Sequence, residues 1–149
     1  MLKVKKYVLV TGGFDPLHSG HIKYFEEAKK LGDYLIVGLN SDNWLKHKKG
    51  KPFLSLEERK IIIKNLKMVD EIVCWNDNDG SAIGAIETLV KKYPQQIIIF
   101  ANGGDRTKEN IPEMNNFYNN NNIKFIFGVG GTKKINSSSW LLKNWTENK

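Results

Sequence analysis

The order of strand and helix signals in this chain predicts an α/β fold. One domain, residues 1–149, is expected around an open five-stranded parallel sheet wound in both directions. Three observations carry that expectation. Five short apolar runs of strand character are separated by capped or amphipathic helical segments. No linker composition divides them. The polar clusters 12–21, 46–51, 103–106 and 130–139 each fall just after a strand, on the rim where such sheets hold ligands.

Tyr7-Val8-Leu9-Val10 reads as the first buried strand, and a helix comes next, from about Gly20 to Leu31. Tyr34 to Leu39 is a second apolar strand of the parallel type. A basic loop, Lys46 to Lys51, leads to Ser55-Leu56-Glu57-Glu58, a capping box that starts a helix running to about Lys67. Glu71 to Trp75 is the third strand, and Ser81 caps a helix from Ala82 to Lys92. Ile97 to Phe100 is a strongly β-branched fourth strand. A weaker helix spans Ile111 to Tyr118, Ile123 to Phe127 is the fifth strand, and Ser137 to about Trp145 closes the chain as a helix. The four asparagines 119–122 read as a solvated turn. Right-handed crossovers between these strands give a Rossmann-like sheet.

At 40% hydrophobic residues the chain can bury a real core. Its first residues are too few and too charged for a signal peptide, and no apolar run approaches ~20 residues. A soluble, cytoplasmic protein without a membrane partner is expected. Cys74 is the single cysteine, which excludes an internal disulfide and a multi-thiolate zinc site; its apolar run predicts a buried thiol. The net charge of +7 is spread along the chain, with one dense group at Lys46–Lys51. That distribution suits a small anionic substrate beside a solvated lysine surface, and no nucleic acid partner is expected.

The most informative segment is Gly12-Gly13-Phe14-Asp15-Pro16-Leu17-His18-Ser19-Gly20-His21. A strand, a glycine-bearing turn and a helix mouth carrying two histidines make a place to hold a triphosphate. The glycines allow close backbone approach, and the helix N-terminus offers N–H groups and a positive dipole end. His18 and His21 add two donors, and Asp15 is suited to fixing the turn through backbone amides. The pattern GxFDPxHxGH resembles the HxGH signature of the nucleotidyltransferase superfamily. That superfamily includes cytidylyltransferases and the pantetheine-phosphate and nicotinamide-nucleotide adenylyltransferases. The resemblance runs over about residues 7 to 142 and is strongest to the glycerol-3-phosphate cytidylyltransferase type.

That resemblance implies roles for individual residues. His18, His21 and Lys49 are the expected catalytic residues, the imidazoles stabilising charge at the α-phosphorus. Lys49 stands before Gly50 where the family carries a phosphate-reaching lysine, with Lys46 second. Arg59, at a helix start of the E-R type, is expected to point into the site and meet an acceptor phosphate, and Arg106 is a further cation for that role. Gly12, Gly13, Phe14 and Asp15 are expected at the nucleotide. Gly104 and Asp105 resemble the family's GGD segment. Thr132, Ile135, Ser137 and Ser138 match its RTxGxST or I-S-S-S/T motif, where hydroxyls and amides hold the terminal phosphates. Two departures stand out: Gly131 occupies the family's arginine position and Lys134 its glycine position.

These residues imply transfer of a nucleoside monophosphate from CTP to a small phosphorylated acceptor such as glycerol 3-phosphate, with release of pyrophosphate. The Ser137–Ser139 run and Gly131 leave ATP open as donor. A nucleotide-binding sensor without turnover is the alternative outside enzymology. Mg²⁺ carried mainly by the triphosphate is the expected cofactor, with no protein metal site, and a homodimer is compatible with the resemblance.

Overall fold

The computed structural model describes residues 3–104, 111–131 and 137–147. In chain order the elements are β1 (Lys6–Gly12), α1 (Ser19–Lys29), β2 (Tyr34–Leu39), α2 (Asp42–Lys49) and α3 (Leu56–Lys64). They continue with β3 (Glu71–Val73), α4 (Ile83–Lys92), β4 (Ile97–Gly103), α5 (Pro112–Phe117), β5 (Ile123–Val129) and α6 (Ser138–Glu147). The strands pair in parallel in the order β3-β2-β1-β4-β5. The expected Rossmann-like, doubly wound sheet is therefore present. β1 pairs with β2 from Tyr7–Tyr34 to Gly12–Leu39, and with β4 from Lys6–Ile97 to Leu9–Phe100. The winding reverses at β1, so its carboxyl end opens beside that of β4.

Alternation along the strands divides the core into two layers. Val8, Val10, Leu35, Val37, Ile99 and Ala101 face Phe25 and Ala28 of α1 and Ile63 of α3. Leu9, Ile36, Ile98 and Phe100 face Ala85, Ile86 and Leu89 of α4, with Met114 and Phe117 of α5 behind them. Both faces of the central strands are covered, as parallel sheets require. No helix among the described residues is long and apolar enough to cross a membrane.

Several sequence expectations change in detail. The basic segment 46–51 is mostly helix rather than loop: Ser41 caps α2 by accepting from the Trp44 N–H at 3.1 Å, and Asp42 sits in the first turn. Lys46, His47, Lys48 and Lys49 fill the last turn, where cations complement the helix dipole. Gly50 then ends the helix at φ 94°. The third strand stops at Val73, which leaves Cys74 exposed rather than buried. The helix expected to be capped by Ser81 begins at Ile83, whose N–H still reaches Ser81 Oγ at 3.2 Å.

Candidate active site

At the carboxyl ends of β1 and β4 lies an open cleft of about 510 Å³, and the turn after β1 forms its floor. Gly12 and Gly13 are needed there for space. A Cβ at Gly13 would lie 2.7 Å from Leu45 Cδ2, and one at Gly12 would lie 3.0 Å from the Phe14 ring. The left-handed backbone falls instead on Phe14, at φ 50°. A non-glycine residue there is strained and must be held by its surroundings. The Phe14 ring is 7% exposed and meets the edges of His21 and Phe25 at centroid distances of 5.0 and 4.9 Å. Asp15 is buried, and its carboxylate accepts from the N–H groups of Phe53 at 2.6 Å and Leu54 at 2.8 Å. It therefore fixes the turn to the segment leading into α3.

His18 and His21 open α1 as a capping box. His18 Nδ1 accepts from the Gly20 N–H at 3.1 Å, and His21 Nδ1 accepts from the His18 N–H at 3.3 Å. The rings stack at 3.7 Å and both line the cleft. An imidazole nitrogen that accepts a hydrogen bond carries no proton, so each neutral ring bears its hydrogen on Nε2. Burial lowers His21 to about 3, with the His18 ring and the Lys49 ammonium adding to the effect; burial lowers His18 as well. Near neutral pH the pair therefore acts as two uncharged N–H donors.

The positive charge comes from α2. Lys49 Nζ donates to the Asp15 carbonyl at 2.7 Å and lines the cleft. Burial lowers its pKa, Asp15 opposes that shift and Arg59 reinforces it. Lys46, one helical step from Leu45, is exposed and lies outside the cleft. Lys48 lies inside it, with Nζ 4.7 Å from the centre of the Trp44 ring, which is also in the wall. No motif marks either of these two residues. Their spacing of four on a short helix is the available signal.

Arg59 departs from expectation. It does not reach the cleft: it is 1% exposed, and its guanidinium is spent on structure. Nε donates to the Leu54 carbonyl at 3.1 Å. Nη1 donates to Gly13 at 3.1 Å and Asn40 at 2.8 Å, and Nη2 to Asp42 Oδ1 at 2.8 Å. The burial of Ile63 one turn on sets this face of α3 inward and carries Arg59 with it. Beside it, Asp77 takes the Ser41 N–H at 2.8 Å, the Ser41 hydroxyl at 2.7 Å and the Asn40 amide at 3.1 Å. Burial raises the Asp77 pKa most, but these bonds together bring it below the ordinary carboxylate value.

The opposite wall comes from β4, β5 and α6. Gly103, Gly104, Gly130, Ser137 and Ser138 line it, and Ser138 Oγ donates to the Pro16 carbonyl at 2.8 Å. Tyr24 of α1 donates its hydroxyl to the Ala101 carbonyl at 2.5 Å and packs against Gly103 and Gly130. At Gly130, φ is 81° and a Cβ would lie 3.1 Å from Tyr24 Cα, so no other residue fits without displacement. Tyr24 is a further wall residue that no motif marks. Asp105, Arg106, Thr132 and Ile135 lie outside the described residues.

Comparison with known proteins agrees with this geometry. Residues 9–136 match the family described as cytidylyltransferase-like. The Bifunctional protein HldE of Haemophilus influenzae strain PittEE is 42% identical over 113 residues, which cover 68% of this chain and 24% of that protein. The chain thus matches about a quarter of the length of that relative. The FAD synthase of Ferroglobus placidus is 45% identical over 74 residues, half of this chain and 48% of that protein. Among solved structures, the lipopolysaccharide core biosynthesis protein from Thermoplasma volcanium superposes with a TM-score of 0.62 at 26% identity. The match covers 89% of this chain and 99% of that one.

The site's construction sets two expected outcomes. Arg59→Met should lower stability by about 3–5 kcal/mol in urea denaturation, because three carbonyls and a carboxylate lose their partner together; a loss below 1 kcal/mol would show that the hub is dispensable. His21→Gln should keep the capping box, since glutamine at that position can accept from the His18 N–H. Because His21 gains a proton on unfolding, its stabilisation is complete above pH 6.5 and declines as pH falls toward 3. Between pH 6.5 and 5 the wild type should therefore lose about 2 kcal/mol more than His21→Gln. Parallel stability curves over that window would remove the buried, neutral imidazole.

Proposed function

This chain belongs to the cytidylyltransferase-like family, and we propose that it transfers a nucleoside monophosphate from a nucleoside triphosphate to a small phosphorylated acceptor. The observation that carries this is the His18–His21 pair, whose Nδ1 atoms are committed to the helix while Nε2–H remains for an anion beside Lys49. An acceptor phosphate oxygen attacks the α-phosphorus in line. The new O–P bond forms as the bond to the β-phosphate oxygen breaks, and pyrophosphate leaves. A phosphate monoester has a second pKa of about 6, so the attacking oxygen is already ionised and no general base is needed. The imidazole donors and the α1 N-terminus stabilise charge gathering on the α-phosphate oxygens, while Lys49 aligns the reacting phosphates.

Among the described residues no group of three His, Cys, Asp or Glu side chains could hold a metal ion. The Asp15 carboxylate is occupied by two amides. A magnesium ion accompanying the triphosphate would be held mainly by phosphate oxygens, where it would neutralise pyrophosphate charge.

For the donor we favour ATP. An FAD synthase builds an adenine dinucleotide, and its likeness to this chain joins the Ser137–Ser139 run and the glycine at 131 in support. The lysine–glycine pair 49–50 supports CTP, the donor favoured on sequence grounds. Pyrophosphate release should be measured with ATP, CTP, GTP and UTP against glycerol 3-phosphate, glucose 1-phosphate, phosphocholine and phosphoethanolamine. A base read by buried hydrogen bonds gives a large preference, so one nucleotide should dominate. Faster turnover with CTP would reverse the donor assignment. Tight triphosphate binding with no release from any pair would support a sensor instead.

With the active pair in hand, His18→Ala and His21→Ala should each lower turnover by roughly 10²–10³-fold, as for loss of a preorganised donor. Lys49→Ala should cost ~1.5–3 kcal/mol of transition-state stabilisation, read from kcat/KM, with Lys46→Ala near wild type. A severe Lys46→Ala beside a silent Lys49→Ala would overturn the assignment of the phosphate lysine.

A further inference from the structure

The cleft has two unlike sides. α2 brings the ammonium groups of Lys48 and Lys49, while the side formed by Tyr24, Gly103, Gly104, Val129 and Gly130 bears no charged side chain among the described residues. With the phosphates beside the histidines and Lys49, the uncharged side is left for the nucleoside. We propose that Tyr24 is the positioning residue of that side: its hydroxyl and ring set the width of the slot that takes the base and ribose. It thereby governs how tightly and how selectively a nucleotide binds. The proposal rests on the nucleotidyltransferase reading for the ligand, and it adds a residue that acts through the strand ends it holds.

The strand pairing shows why those ends need holding. β1 pairs with β4 only as far as Leu9 and Phe100, whereas β1 stays with β2 to Gly12 and β4 stays with β5 to Gly103. The two central strands therefore part beneath the cleft. Ala101 is the first residue of β4 beyond that point, and its carbonyl accepts the Tyr24 hydroxyl at 2.5 Å. Ala101 is 1% exposed, so the phenol satisfies a main-chain group in the core. The pairing of β4 with β5 also shifts register between Ala101 and Gly103, and such an irregularity interrupts the ladder. Side-chain packing must then locate the rim. A Cβ at Gly103 would lie 3.1 Å from Tyr24 Cε1, and one at Gly130 would lie 3.1 Å from Tyr24 Cα. The tyrosine thus meets the ends of both strands from α1. It stands three residues after His21 on that helix, about 4.5 Å along the axis at a rise of 1.5 Å per residue. One rigid helix carries the imidazole that faces the phosphates and the phenol that holds the nucleoside wall. Phosphates and nucleoside arrive at a fixed separation along one ligand, and the shared helix fixes the spacing of the subsites that receive them.

Calorimetric titration of the full chain with magnesium present separates the two subsites without turnover. ATP and CTP report phosphates and nucleoside together, and inorganic tripolyphosphate reports the phosphates alone. Tyr24→Phe keeps the ring and removes the bond to Ala101. It should weaken the preferred nucleotide at least tenfold, leave tripolyphosphate within twofold, and lower the discrimination between ATP and CTP at least threefold. Gly103→Ala presses a methyl group onto the same ring and should give the same selective loss, so it carries the test should Tyr24→Phe not fold. The combined variant should lose less than the product of the two single losses, because both changes act on one contact. An equal loss for nucleotide and tripolyphosphate would mark general destabilisation and overturn the role. Unchanged nucleotide affinity in both variants would overturn it too, as would wild-type protein that binds tripolyphosphate as tightly as either nucleotide. Failure of the reaction reading appears separately: selective, Tyr24-dependent nucleotide binding without pyrophosphate release upholds this role and overturns the transferase.

Discussion

The guanidinium of Arg59 reaches the segment before α3, the turn after β1, the end of β2 and the first turn of α2. Main-chain carbonyls at those places have left the sheet ladder or lie beyond its end, and buried carbonyls without partners are costly. A planar fork with five donors can serve several of them at once, which an ammonium cannot. The arginine thereby fixes the Gly12–Asp15 turn relative to α2, and with it the spacing between Lys49 and the histidines. Asp15 tightens the same junction from the other side by taking the Phe53 and Leu54 amides. The cleft's electrostatics thus depend on a buried cation that need not touch substrate.

Much of the architecture is legible in the sequence because the sheet is parallel and buried. Runs such as Tyr34–Leu39 and Ile97–Phe100 are apolar at nearly every position, and both prove central. The helix α2 escapes a sequence reading for a physical reason. Leu45 is its single buried residue, so it has no apolar stripe to read; caps at Ser41 and Gly50 and the basic last turn define it instead. Cys74 defies its apolar run because such a run does not reveal that the edge strand ends one residue earlier.

Within the site, the motif locates the histidines but cannot orient what surrounds them. A helix-start arginine carries the same spacing whether it points to solvent, to substrate or into the core. Only tertiary packing turns Arg59 inward. The glycine pair similarly announces a tight turn, yet its role is steric clearance beneath Leu45 and Phe14, while Phe14 itself adopts the left-handed conformation. Trp44 and Tyr24 read as ordinary core aromatics in isolation. Their importance comes from their surroundings in the fold: Lys48 and the cleft wall for one, Ala101, Gly103 and Gly130 for the other.

The three-residue spacing of the histidines has its own explanation in this geometry. His18 is the N-cap of α1 and His21 its third residue, the two positions whose side chains can reciprocally satisfy orphan amides at a helix start. Serine and glutamate would close the helix as well. Imidazole differs in having a second nitrogen across the ring, so one side chain can accept a helix amide at Nδ1 and still offer a donor at Nε2. The hydrogen bond at Nδ1 selects the tautomer, and burial keeps the ring uncharged. Protonation would cost the cap its acceptor, so the helix opposes it in the same sense as desolvation does. Local folding and burial consequently impose one protonation state on both rings, the state that the proposed phosphate contacts would use. The cleft divides its work accordingly, with neutral, directional donors on α1 and positive charge on α2.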